Sequence, residues 1–233
     1  MIIPIHDENP TQTISWVTIS LIIANILVFI YELSLGNTLD IFMREYTMIP
    51  YLVVQFPSVG TYSTIFTSIF LHGSWIHIIG NMLYLWIFGN NIEDILGHGR
   101  FFIFYLLCGL GGAAGHILSN PNSHIPSLGA SGAIAGALAA YLILYPLASI
   151  DVAVPIFIFI KIIRLPAIIV IGFWFILQLV SSYTIITSPT IQSSGGVAWF
   201  AHIGGFITGF LLILIFPKKR KPKKRRKANK GYF

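Results

Sequence analysis

The sequence predicts an all-α, polytopic membrane protein built as a bundle of six transmembrane helices. Three observations predict it. Only 9% of the 233 residues are charged and 55% are apolar, whereas soluble domains carry roughly 25% charged residues. The mean hydropathy of +0.81 means more apolar surface than a soluble chain of this length can hide, so lipid must be the solvent for most of it. The apolar residues also fall into runs of about 20, the length that crosses a hydrocarbon core. Length allows one domain, expected over 1–217, followed by a basic tail over 218–233.

The spans read as 14–34, 74–92, 100–118, 129–146, 166–184 and 198–216. The first lacks a basic stretch before it and is too long for a signal-peptide core, so it is expected to stay as a helix. Between the fourth and fifth lies Val152–Ile163, apolar but short, bracketed by Pro155 and Pro166 and dominated by Ile, Val and Phe. That composition favours a short extended or interfacial segment over a seventh span.

Charge orients the bundle. Ten of the fourteen Lys and Arg lie in Lys218–Lys230, and Arg100, Lys161 and Arg164 border or occupy the other segments on the same side. Only Arg44 falls opposite, so both termini are expected in the cytosol, with the cell membrane as the expected site. The tail follows an apolar span directly. It reads as a topology signal touching anionic lipid headgroups rather than as a nucleic-acid binder. The single Cys108 excludes an intrachain disulfide and reads as a packing residue.

The connections have distinct characters. Residues 35–73 form a long outer loop with an amphipathic patch, Ile41 and Phe42 beside Arg44, Glu45 and Tyr46, suited to the membrane interface. Residues 119–128 and 185–197 are rich in Ser, Pro, Asn and Gly, as loops are. Glu93, Asp94 and Arg100, around Gly97 and Gly99, are expected to cap and turn the connection between spans two and three.

Polar side chains inside a span are costly, which makes them candidates for function. Span two opens with His72, His77 and Asn81, span four with Gly129-Ala130-Ser131-Gly132, and span six with His202 ahead of Gly205 and Gly209. All three spans run in the same direction. Each carries its polar group in its first two turns, about 5–10 Å below the outer surface at 1.5 Å per residue. His77 and Asn81, at i and i+4, share a helix face. Each residue alone has a plain structural reading: a cap for Ser131, interhelical hydrogen bonds for His77 and Asn81, packing for His202. Their agreement in depth is what points to chemistry.

That chemistry is nucleophilic. Small residues after Ser131 and the Gly205/Gly209 pair let helices approach closely enough for a Ser131–His202 hydrogen bond. No acid occurs in these three spans, so a dyad is expected rather than a triad. The Ser131 N–H at a helix start, His77 and Asn81 are the candidate oxyanion donors. His72 and Gly129 are expected to support them. No metal or cofactor is expected: His72 and His77 are five apart with no Glu between, unlike the zinc-binding His-Glu-x-x-His. A channel or transporter would show mid-span charges or inverted repeats of broken helices, and neither is seen.

At these residues the sequence resembles the rhomboid family. Gly129–Gly132 matches its Gly-x-Ser-Gly nucleophile at the start of helix four. His202 with Gly204, Gly205 and Gly209 matches its helix six. His72, His77 and Asn81 reproduce the His-x-x-x-x-His-x-x-x-Asn of helix two. The resemblance implies a six-helix rhomboid-like bundle and an intramembrane serine endopeptidase that cleaves single-span membrane proteins through Ser131 and His202, with no cofactor. It also implies that the first outer loop lies partly in the membrane. The alternative is an inactive relative that binds membrane proteins for quality control, although such relatives usually lack the Ser or the His. Some members place a tyrosine four residues after the nucleophile, packed on the catalytic histidine. Here that position is Ala135, so support for His202 must come from elsewhere. Span five, which lacks charge, is expected to be the movable wall for lateral access, with Phe173, Trp174 and Phe175 packed on span two or lipid.

Overall fold

The computed structural model describes residues 3–156, 159–187, 199–216 and 218–219. The loop expected over 185–197 and the tail over 218–233 therefore lie largely outside the described residues. The chain opens with strand β1 (Ile3–Asp7), then helix α1 (Trp16–Ser34). Three short helices follow: α2 (Leu39–Tyr46), α3 (Pro50–Gln55) and α4 (Val59–Thr67). Helix α5 (Trp75–Tyr84) passes through a π turn, Leu85–Gly89, into α6 (Asn90–Leu96). Then come α7 (His98–Ser119), α8 (Ser131–Leu144), strands β2 (Ser149–Ile156) and β3 (Phe159–Pro166), α9 (Ala167–Thr187) and α10 (Trp199–Ile215). Helices α1 and α7 are long and apolar enough to cross a membrane; Ser131–Leu144, Ala167–Tyr183 and Trp199–Ile215 are apolar and shorter.

The all-α expectation needs one correction. Val152–Ile156 and Phe159–Ile163 are indeed extended, and they belong to a three-stranded antiparallel sheet in the order β1-β2-β3. β-Branched residues favour the pleat. Pro155 sits one residue from the end of β2, past Ile3↔Ala153, the last described β1–β2 pair. Arg164 ties the sheet together across β3, β2 and the chain after β1, through Asp151 (2.9 Å) and Glu8. The guanidinium holds the Asp151 carboxyl below its usual range.

Glycine sets the packing of the central helices. A Cβ on Gly205 would strike the carbonyl oxygen of Gly132, and one on Gly209 that of Gly136. The backbones of α8 and α10 therefore touch, as the small residues of span six predict. Helix α8 is buried along almost its whole length, from Gly132 to Tyr141. Its 14 residues measure about 21 Å, shorter than a hydrocarbon core of about 30 Å.

The N-terminus of α1 has no side-chain cap of its own. The buried Glu93 carboxylate serves instead, accepting from the Val17 and Thr18 N–H groups (2.9 and 2.7 Å) and from the Thr18 hydroxyl. Asp94 accepts from Thr13 N–H and Oγ1. These acids thus cap the first helix, and Glu93 also meets His98 Nδ1 at the start of α7, in the connection between spans two and three, which turns at Gly97 (φ 80°). Negative charge at a helix start is favourable because the first N–H groups have no helical partner. At that same end the Lys219 N–H donates to the Ile95 carbonyl, so α6 and α10 finish side by side. Helices α5–α6 and α10 consequently run in the same direction.

Candidate active site

Ser131 is the first residue of α8, and the turn before it is built by Gly129 at φ 113°. Only glycine adopts that φ without strain. The Gly129 N–H donates to the Ser68 carbonyl at 2.8 Å, which ties the turn before Ser131 to the segment between α4 and α5. A side chain at Gly129 would also collide with its neighbours: a Cβ would lie 2.7 Å from His77 Nε2 and 3.5 Å from Asn81 Nδ2. Gly129 thus gives two side chains of α5 access to the start of α8.

His202 Nε2 lies 2.8 Å from Ser131 Oγ. The close crossing of α8 and α10 at glycine is what brings these residues, 71 positions apart, within hydrogen-bond reach. The ring is 7% exposed. Its other nitrogen, Nδ1, lies 2.7 Å from Gln178 Oε1 on α9. Trp174, one turn earlier on α9, packs against the ring with centroids 5.6 Å apart, and Trp199 meets it edge-on at 6.1 Å. Support for His202 therefore comes from α9 and from its own helix.

Asn81 is oriented by a chain of acceptors. His72 Nδ1 faces the Phe70 carbonyl at 3.2 Å, and a carbonyl only accepts, so Nδ1 carries the proton. His72 Nε2 is then an acceptor, and Asn81 Nδ2 donates to it at 2.9 Å. The second proton of the Asn81 amide is left for the site. The His72 backbone N–H donates to the buried Glu32 carboxylate of α1 at 3.2 Å. The His77 ring meets the His72 ring at 5.0 Å and has no hydrogen-bond partner among the described residues.

Ser131, His202, His77, Asn81, Gln178 and Trp174 all line one cavity of about 860 Å³. The structure thus brings Ser131, His202, His77, Asn81 and Gly129 together, while His72 sits one contact behind. Sequence reasoning passed over Gln178 and Glu32, and expected Trp174 to pack on span two or lipid rather than on His202. A search for every polar side chain in an apolar run, neutral amides included, finds Gln178 and Glu32.

Comparisons with known proteins identify the family. A family model described as the rhomboid domain matches residues 59–219. The chain is 32% identical over 141 residues to the rhomboid protease GluP of Bacillus subtilis, covering 58% of this chain and 25% of that protein. It is 34% identical over 104 residues to the mitochondrial rhomboid protein 1 of Saccharomyces cerevisiae, covering 43% and 30%. It is 38% identical over 103 residues to the human mitochondrial presenilin-associated rhomboid-like protein, covering 40% and 25%. The matched parts are about a quarter to a third of these relatives' own lengths. A domain match over most of the chain, apolar helices and these motifs in order have one explanation: this membrane protein belongs to the rhomboid family.

Proposed function

We propose that the chain is an intramembrane serine endopeptidase that hydrolyses single-span membrane proteins through a Ser131–His202 dyad. The observation that carries this reading is the 2.8 Å contact between Ser131 Oγ and His202 Nε2 inside a cavity. In this reading Ser131 Oγ attacks the peptide carbonyl as its proton passes to His202 Nε2. The oxyanion is received by the Ser131 N–H, the Asn81 amide and His77. His202 then protonates the leaving amine, and the acyl group remains on Ser131. Water, deprotonated by His202, releases the acid and restores the serine.

The proposed setting is a six-span bundle with α5 and α6 as one span. The domain covers 1–217, and the basic tail over 218–233 lies in the cytosol against anionic headgroups. The brevity of α8 supports a nucleophile recessed below the outer surface, reached by water through the cavity and by substrate sideways between helices. No cofactor takes part in this scheme.

Purified wild type, Ser131→Ala and His202→Ala, offered a panel of single-span proteins in detergent, test it by product mass. The wild type is expected to cut at least one substrate, and each variant to lose nearly all turnover while unfolding at the wild-type temperature. Cleavage that survives Ser131→Ala contradicts the mechanism. A wild type that binds the panel without cutting it favours the quality-control reading.

A further inference from the structure

We propose that Gln178 is a positioning residue, fixing the histidine tautomer that the dyad needs; this rests on the Ser131–His202 reading above. The hydrogen bonds assign the roles in order. Gln178 Nε2 lies 3.1 Å from the Trp174 carbonyl, which can only accept. The amide nitrogen therefore faces that carbonyl, and the amide oxygen faces His202 Nδ1 at 2.7 Å. An oxygen acceptor there requires the proton on Nδ1. Nε2 is then the bare nitrogen, poised to accept from the Ser131 hydroxyl at 2.8 Å. The chain of four groups has one consistent set of donors and acceptors, and it ends on a backbone carbonyl that cannot reverse.

Gln178 is 4% exposed, so little of the amide is open to solvent. Its place is that of the acid in a serine triad, which holds the imidazole in the same tautomer. Gln178 carries no charge, so it orients the ring without a carboxylate's stabilisation of the imidazolium. Among the described residues no Asp, Glu, Lys or Arg lines the cavity; the other titratable groups there are His77 and Tyr84. The acceptor also comes from α9, not from a helix bearing the nucleophile or base. Base alignment is thereby coupled to the position of α9.

A small fluorophosphonate probe isolates this step from the passage of a protein substrate. Ser131 Oγ bonds to phosphorus, fluoride leaves, and the serine proton passes to His202 Nε2. Labelling rates of wild type, Gln178→Leu and Gln178→Glu are measured against pH, with the adduct mapped by mass and thermal unfolding followed in parallel. Leucine removes the acceptor at similar size; glutamate keeps an oxygen there. Gln178→Leu is expected to label on the order of tenfold more slowly, the worth of about one net hydrogen bond, with its pH midpoint below that of wild type. Gln178→Glu is expected within a few-fold of wild type on the plateau, its midpoint not lower. The glutamate result stands even if the leucine variant misfolds. Gln178→Leu with wild-type rate and midpoint overturns the proposal, as does a folded Gln178→Glu as slow as the leucine variant. Wild-type labelling that misses Ser131, or that persists in His202→Ala, instead sinks the dyad itself.

Discussion

At the scale of single residues, four polar groups at the site, His77 not among them, are held in two chains that each end on a backbone carbonyl. His72 is set by Phe70, Asn81 by His72, Gln178 by Trp174 and His202 by Gln178. Catalysis needs this because a donor aimed at developing charge helps only if it need not reorganise. Asn81→Ala is expected to lower kcat far more than it raises KM, since the oxyanion exists only in the transition state. Loss of one such donor costs roughly 2.7–4 kcal/mol where it has been measured. The Ser131 N–H and His77 remain, so the loss falls at or below that range. Steady-state kinetics on a folded variant check it, and unchanged kcat would make Asn81 structural. Gly129→Ala adds a strained φ and a collision with His77 Nε2. It is expected to abolish turnover and lower the unfolding temperature, whereas a wild-type rate would mean the turn can relax.

Helices carry the next level of argument. The α8–α10 contact positions Ser131 and His202, the two halves of the proposed dyad, and it depends on Gly205 and Gly209 lying on the Gly132 and Gly136 carbonyls. Gly209→Leu, about two turns from His202, is expected to push these helices apart. It should destabilise by about 1–3 kcal/mol, as overpacking does, and slow probe labelling at Ser131. Loss of stability with unimpaired labelling would show that the dyad tolerates the separation. Helix α9 differs from the sequence expectation. Its Trp174 packs on His202 and Phe206 and its Phe175 on Phe206, all on α10 rather than span two. Phe173 is 47% exposed and also lines the cavity. Phe173→Ala should therefore preserve or raise cleavage of membrane substrates, and Trp174→Ala should lower it. Equal effects of the two changes on turnover would refute the distinction.

For the molecule as a whole, the strong signals in the sequence were those of burial and cost. Apolar runs marked α1, α7, α8, α9 and α10 closely, because lipid demands length. Ser131, His202, His77 and Asn81 were legible because polar groups inside such runs are expensive and these agree in depth. Gln178 was not, since an uncharged amide stands out little. The face of α9 that meets His202 also depends on how α9 crosses α10. Strand β1 was hidden for another reason: five residues show no clear alternation, and its partner β2 follows α8, far along the chain. Glu93 was read as a local cap, and it does meet His98 five residues on, but its backbone donors lie 75 and 76 residues away. Glu93→Ala should cost roughly 1–3 kcal/mol by leaving the first α1 N–H groups unpaired, read as a lowered unfolding temperature with the dyad chemistry intact. Topology is checked by single cysteines in a Cys108→Ala background. A label confined to the outside should reach position 123 and not position 161, and the reverse result would invert the bundle.

The central claim is serine proteolysis within a membrane, and one measurement addresses it whole. Wild type or Ser131→Ala is reconstituted in liposomes with a single-span protein that the wild type cuts in detergent, and the products are weighed to locate the scissile bond. The account predicts one cut by the wild type, in or beside the substrate's span, and no cut by Ser131→Ala. Equal cleavage by both proteins, or cuts only in the substrate's soluble parts, would contradict it.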